Sequence, residues 1–220
     1  MPRIARIVIP EYPHHIVQRG NRRQKTFFGD RDYEAYLKLL QGHCQKSNLE
    51  ILVYCLMPNH VHMIAVPGEK NSLADAIGKT HLKYTRMINF RENWRGYLWQ
   101  GRFSSYVLDE RYLLAAVRYI LLNPVKAKIV KNSWDYRWSS ARHHLGIKKN
   151  SFLSNRFIDT LIDDWKEFLK TEVNKDEGDL LRLHERTGRP LGDASFIEQL
   201  ENKLKISLKK KKPGPKVKEK

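Results

Sequence analysis

Cysteine is scarce in this chain and long apolar stretches are missing. Cys44 and Cys55 are too few and too unpatterned for a disulfide framework, which excludes a small stapled scaffold. No run approaches the ~18 apolar residues of a membrane-spanning helix, so none is expected. The opening stretch MPRIARIVIPEYPHH lacks the sustained apolar segment and cleavage site of a secretory signal, so a cytoplasmic address is expected. A Gly-x-Ser-x-Gly elbow, a phosphate-binding P-loop and a Cys-x-x-Cys pair are all absent, and no nucleotide cofactor is expected. Acidic residues are in the minority, 24 against 41 Lys and Arg, for a net charge of +17. The segment 209–220 carries +6 of this and the body keeps +11. A basic tail alone is often a solvated appendage, but a basic body as well favours a polyanionic partner. Nucleic acid is preferred over membrane, because no basic amphipathic anchor is backed by an apolar face.

With 220 residues and 41% apolar content, one packed domain plus an appendage can form. Residues 12–18 (YPHHIVQ) read as a strand that runs into the basic turn Arg19, Gly20, Asn21, Arg22, Arg23, Gln24. Asp30 or Asp32 can cap a helix carrying Tyr33, Tyr36, Leu37 and Leu40 at helical spacing. The apolar run 49–56 and the segment 60–66 flank Pro58-Asn59 and predict a β-hairpin. A helix follows over 72–89, a strand over 97–108 broken at Gly101, and a helix capped by Asp109 that reaches Asn123-Pro124. This order predicts an α+β fold: a ferredoxin-like split βαβ with an antiparallel sheet and helices on one face. The expected division is a domain at 1–150, a helical extension at 151–208 and a basic tail at 209–220, disordered when unbound. Within the extension, Phe157, Leu161, Trp165 and Phe168 form one apolar stripe; a polar break precedes a short helix over 194–204.

The stretch MPNHVHMI (57–64) puts His60 and His62 two apart on a strand, so both imidazoles project to one face. They read either as two metal ligands or as ordinary half-buried histidines. The His-apolar-His-apolar-His pattern of nucleotide hydrolases is excluded by Ile64. Near the end of a predicted helix, Tyr119 and Asn123 lie four apart and share a face. They are either a phenol nucleophile and a third ligand, or a rim aromatic and a turn residue before Pro124.

Five blocks in order sharpen these readings: HHIVQRGNRRQKTFF (14–28), YCLMPNHVHMI (54–64), LWQGRFSSYVL (98–108), RYILLNPVKA (118–127) and YRWSSARHHLG (136–146). Together they resemble the REP-associated tyrosine transposases, within the single-tyrosine histidine-hydrophobic-histidine nucleases. The segments TGRPLGDASFIEQLENKL (187–204) and the basic tail also resemble C-terminal segments of that group. One departure is Leu121, where many relatives carry histidine. The resemblance implies a single-stranded DNA endonuclease and strand transferase acting on hairpin DNA. It implies His60, His62 and Asn123 as ligands of one divalent cation, Mg or Mn, and Tyr119 as the nucleophile that forms a 5′-phosphotyrosine. DNA contacts are expected from Arg19, Asn21, Arg22 and Arg23, from His81, Lys83 and Arg86, from Trp99 and Arg102, and from Lys209, Lys210, Lys211 and Lys212. The rival reading is a catalytically silent, domesticated relative that only binds hairpins. Monomer and homodimer both stay open.

Overall fold

The computed structural model describes residues 6–154 and 158–208. Lys209, Lys210, Lys211 and Lys212, and Phe157 of the apolar stripe, lie outside the described residues.

Four strands form one antiparallel sheet: β1 His14–Arg19, β2 Leu49–Met57, β3 His60–Pro67 and β4 Ser104–Val107, in the order β2-β3-β1-β4. Helix α1 (Asp30–Lys46) connects β1 to β2, and α2 (Lys79–Arg91), preceded by a π-helical turn at Ala74–Gly78, connects β3 to β4. This is the expected split βαβ arrangement. Strand β2 is a run of branched and aromatic residues buried along almost its whole length, as is β3. Strands of that composition need cover on both faces. The α1–α2 layer covers one face; the other is covered by α3 (Glu110–Leu121) and α8 (Lys175–Thr187). The expectation of helices on one face therefore describes the α1–α2 pair, and α3 occupies the face that carries the histidines.

Local signals explain most boundaries. Asp109 caps α3, its side chain accepting from the Tyr112 N–H at 2.8 Å. Helix α1 differs from expectation: its N-cap is Gly29 without a side-chain cap. Asp32 instead accepts from the Phe28 N–H and pairs with Arg91. Pro124 has no N–H, so α3 closes at Leu122 and a separate turn, α4 (Asn123–Lys126), begins.

The strand expected over 97–108 is confined to Ser104–Val107. Residues 97–103 form a loop that meets the end of β1 through one isolated antiparallel bridge, Gly20 with Trp99. The Asn21 N–H donates to the Leu98 carbonyl and the Gln100 N–H to the Arg19 carbonyl, both at 2.8 Å. Gly96 and Gly101 turn there at φ of 96° and 79°.

Short helices α5 (Ala141–His144), α6 (Ile158–Leu161) and α7 (Trp165–Phe168), then α8 and α9 (Ala194–Leu204), follow within the described residues. Helix α8 replaces the polar break expected before residue 187. Ile158, Ile162, Trp165, Leu169, Leu181 and Leu191 join the same core as the sheet. The Leu191 N–H donates to the Val107 carbonyl at 2.8 Å. Among the described residues, no helix is long and apolar enough to cross a membrane.

Candidate active site

Strand β3 pairs with the ends of β1 and β2, with Arg19 opposite His60 and Val17 opposite His62. By alternation, His15, Val17 and Arg19 of β1 look the same way as His60 and His62. The two β3 imidazoles stand with ring centroids 4.9 Å apart, at 88°. Tyr119, brought in by α3, lies edge-on to His62 with centroids 5.7 Å apart. One helical turn later, Asn123 comes close enough to His60 to favour its protonated form. The four residues singled out in the sequence therefore meet on one sheet face.

The electrostatics of this cluster come from burial and from Arg19. His60 is lowered to about 4 by burial first and then by Arg19, with Asn123 acting in the opposite sense. His62 lies well below its usual range through burial, then through His60, His15 and Arg19. Both rings are thus neutral near pH 7 and present a lone pair. His60 Nδ1–H donates to Asn59 Oδ1 at 2.6 Å, an orientation supported by the Asn59 amide donating to the Arg23 carbonyl. That leaves His60 Nε2 as the ring's acceptor. The phenol of Tyr119 is raised by burial and then by Glu185, while Arg182 and Arg19 pull it back.

Two neutral imidazoles and an amide oxygen make a donor set that fits a divalent cation with positions left for oxygen ligands. Among the described residues, no group of three or more His, Cys, Asp and Glu could hold a metal. The fit therefore depends on the amide of Asn123.

A basic, partly exposed rim surrounds the cluster. Arg19 approaches Glu185 at 3.9 Å while remaining about one-third exposed. Arg22 and Arg23 are exposed on the turn after β1, both with positive φ, at 51° and 61°. Their turn is tied back to the histidine strand, since the Gly20 N–H donates to the Asn59 carbonyl at 2.8 Å. Arg102 is exposed on the following loop.

A profile of the family described as "Transposase IS200 like" matches residues 9–123, a span that contains all four clustered residues. The chain belongs to the IS200-like transposase family. A structure described as a REP-associated tyrosine transposase bound to a REP hairpin shares its fold. That match has 18% identity and a TM-score of 0.54, over 70% of this chain and 98% of the other. A putative transposase from Deinococcus radiodurans aligns at 14% identity and a TM-score of 0.39, over 58% and 92% of the two chains. A search of curated proteins finds no match.

Not every expected DNA contact of this IS200-like transposase is exposed. His81 is buried, hydrogen-bonded to the Tyr36 hydroxyl at 2.9 Å and packed 4.8 Å from the Trp99 ring. Trp99 is itself buried among Phe27, Tyr36 and Tyr84. Both are core residues, because the α1–α2 layer needs aromatic filling where it meets the loop after α2. Lys83 and Arg86 are exposed on α2, on the layer covering the opposite sheet face, and do not join the cluster.

Exposed aromatics lie instead in the last turn of α2 and just beyond it: Phe90 is 92% exposed, Trp94 44% and Tyr97 83%. Tyr97 immediately precedes Leu98, whose carbonyl is bonded to Asn21. This loop therefore adjoins the basic turn.

Four residues of the site were not anticipated. His15 stacks on His62 with centroids 5.3 Å apart, and Tyr106 touches His15 from β4. Strand parity from a known register would have found them. Arg182 and Glu185 come from α8, some 60 residues beyond Tyr119, and have no sequence signal that ties them to it.

Proposed function

We propose that this protein is a single-stranded DNA endonuclease and strand transferase, acting in the cytoplasm on hairpin DNA. The observation that carries this reading is the Tyr119 phenol set edge-on to His62, beside His60 and Asn123, in a chain of this family. The Tyr119 oxygen attacks the scissile phosphorus, and the bond to the 3′ oxygen breaks. A 5′-phosphotyrosine and a free 3′-hydroxyl result, the phenol proton leaving to solvent as the 3′ oxygen gains one. Because one phosphodiester replaces another, a 3′-hydroxyl can reverse the step or join a new strand without ATP. A divalent cation, Mg or Mn, held by His60, His62 and Asn123, supplies charge neutralisation at the phosphate when bound.

The chain's own residues act around that centre. Arg182 draws the Tyr119 phenol toward its charged form and so favours the phenolate as leaving group in the reverse step. Arg19 stands beside both histidines and Tyr119, where it pairs with a non-bridging phosphate oxygen. Asn21, Arg22, Arg23 and Arg102 hold backbone phosphates or hairpin bases, and Phe90, Trp94 and Tyr97 stack unpaired flanking bases. Lys209, Lys210, Lys211 and Lys212 add salt-sensitive, sequence-independent affinity. The structurally similar REP-associated transposase was solved with a REP hairpin, which makes a palindromic hairpin the first substrate to test.

The test uses a 5′- and 3′-labelled single-stranded hairpin with Mg²⁺ or Mn²⁺. A covalent adduct that resists denaturant is expected, lost in Tyr119→Phe with hairpin affinity retained. An adduct that persists in Tyr119→Phe removes the nucleophile assignment. Tight binding by the wild type without any adduct supports the silent hairpin binder instead.

A further inference from the structure

A neutral imidazole ligates a cation only through the nitrogen that lacks a proton, so the role of His62 depends on its tautomer. His62 Nδ1 lies 3.1 Å from His15 Nε2, and a hydrogen bond there needs one proton between two neutral rings. The local pair does not say which ring supplies it. If His62 supplies it, His62 Nε2 has a free lone pair. If His15 supplies it, His62 Nε2 carries the proton and cannot ligate.

The direction is settled further along the chain of contacts. His15 Nδ1 is 2.6 Å from the Tyr106 hydroxyl, and that hydroxyl is 3.0 Å from the Leu181 carbonyl of α8. His15, Tyr106 and Leu181 are all buried. A carbonyl can only accept, so Leu181 draws the Tyr106 proton. The Tyr106 oxygen then accepts from His15 Nδ1–H, and His15 Nε2 accepts from His62 Nδ1–H. Every group in this order is satisfied, and His62 Nε2 is left bare. The reversed order takes the Tyr106 proton away from the Leu181 carbonyl and places one on His62 Nε2. The neighbouring His14 has no part in this, since its ring is closed by the Tyr12 carbonyl at 2.8 Å and the Ile9 N–H at 3.2 Å.

We propose that His15 and Tyr106 are positioning residues, which lock His62 in the Nδ1–H tautomer and free its Nε2 for a cation. The Leu181 carbonyl sets the direction of the relay. The C-terminal extension, through the seating of α8 on β4, thus governs whether the histidine strand can hold metal. This inference rests on the ligand assignment made above.

The experiment uses the full chain, ¹⁵N-labelled and free of metal, with long-range imidazole proton–nitrogen correlations. His62 signals are assigned by their loss in His62→Asn. The wild type is expected to show His62 with a protonated Nδ1 and a pyridine-type Nε2. Tyr106→Phe keeps the ring and removes the relay, so both His62 tautomers should appear and Mn²⁺ affinity should fall by about tenfold or more. His15→Gln, whose amide oxygen accepts from His62, should retain more affinity than His15→Leu, with thermal unfolding as the control for each variant. A wild-type His62 protonated at Nε2 overturns the proposal. So does a Tyr106→Phe variant with unchanged tautomer and unchanged Mn²⁺ affinity. A relay seen as described in a wild type that binds no Mn²⁺ overturns the ligand assignment itself.

Discussion

Replacing Asp109 with alanine should unsettle two segments at once, because this one carboxylate serves both the nucleophile helix and the C-terminal extension. Its Oδ1 accepts from the Tyr112 N–H at 2.8 Å, capping α3, and its Oδ2 accepts from the Asp193 N–H at 3.0 Å. Asp193 in turn caps α9 through the Phe196 N–H at 2.7 Å. Loss of the α3 cap costs ~1 kcal/mol. The second bond is solvent-exposed at the Asp193 end, so its loss adds less than a buried charged bond would, roughly 0.5–1 kcal/mol. The sum, about 2 kcal/mol, corresponds to a fall in Tm of about 4–8 °C for a chain of this size. Urea unfolding at pH 7 with a thermal melt alongside measures it. Asp109→Asn, which keeps a carbonyl oxygen for the cap, should recover about half of the loss. A drop below about 0.5 kcal/mol in Asp109→Ala would refute the reasoning that the cap and the cross-link both contribute. Covalent adduct formation at 25 °C should survive, since Tyr119 sits at the other end of α3.

Other consequences are as direct. His81 is held at about 3, first by burial and then by Arg6, against an ordinary value of 6.5. The unfolded chain therefore binds a proton at this site below pH 6.5 that the folded chain refuses, and stability is lost as pH falls from about 6.5 toward 3. Between pH 7 and pH 5 the loss is ~2 kcal/mol, and His81→Gln should flatten the slope by that amount in urea titrations. Phe90→Ser with Tyr97→Ser should leave Tm unchanged but weaken binding to hairpins with unpaired flanks by roughly 1–3 kcal/mol per lost stack. Blunt hairpins should bind as before; equal affinities of wild type and double variant for flanked DNA, by fluorescence anisotropy, would remove these aromatics from the interface.

Much of the architecture could be read from local pattern. The β2–β3 hairpin shows in an apolar run, a Pro-Asn turn and a second apolar strand, because two-residue alternation and turn chemistry are properties of neighbouring residues. The cap at Asp109 shows for the same reason, and so does the common face of His60 and His62. Tyr119 with Asn123 was legible as a pair, although the helix breaks between them at Leu122. Helix α8 looked like a polar break because its apolar residues are few, and 97–103 looked like a strand because its aromatics are dense.

What tertiary structure alone decided is which polar groups face one another. His81 and Trp99 are aromatic and basic-looking in sequence, yet the space between α1, α2 and the following loop turns them inward. His15 and Tyr106 become neighbours of His62 only through the register of β1 with β3 and β4, and Arg182 reaches Tyr119 only because α8 folds back on α3. The sequence by itself determined a basic chain, a split βαβ order and a two-histidine strand face. The structure determined what surrounds that face, since a buried hydrogen bond depends on ångström distances between residues far apart in the chain.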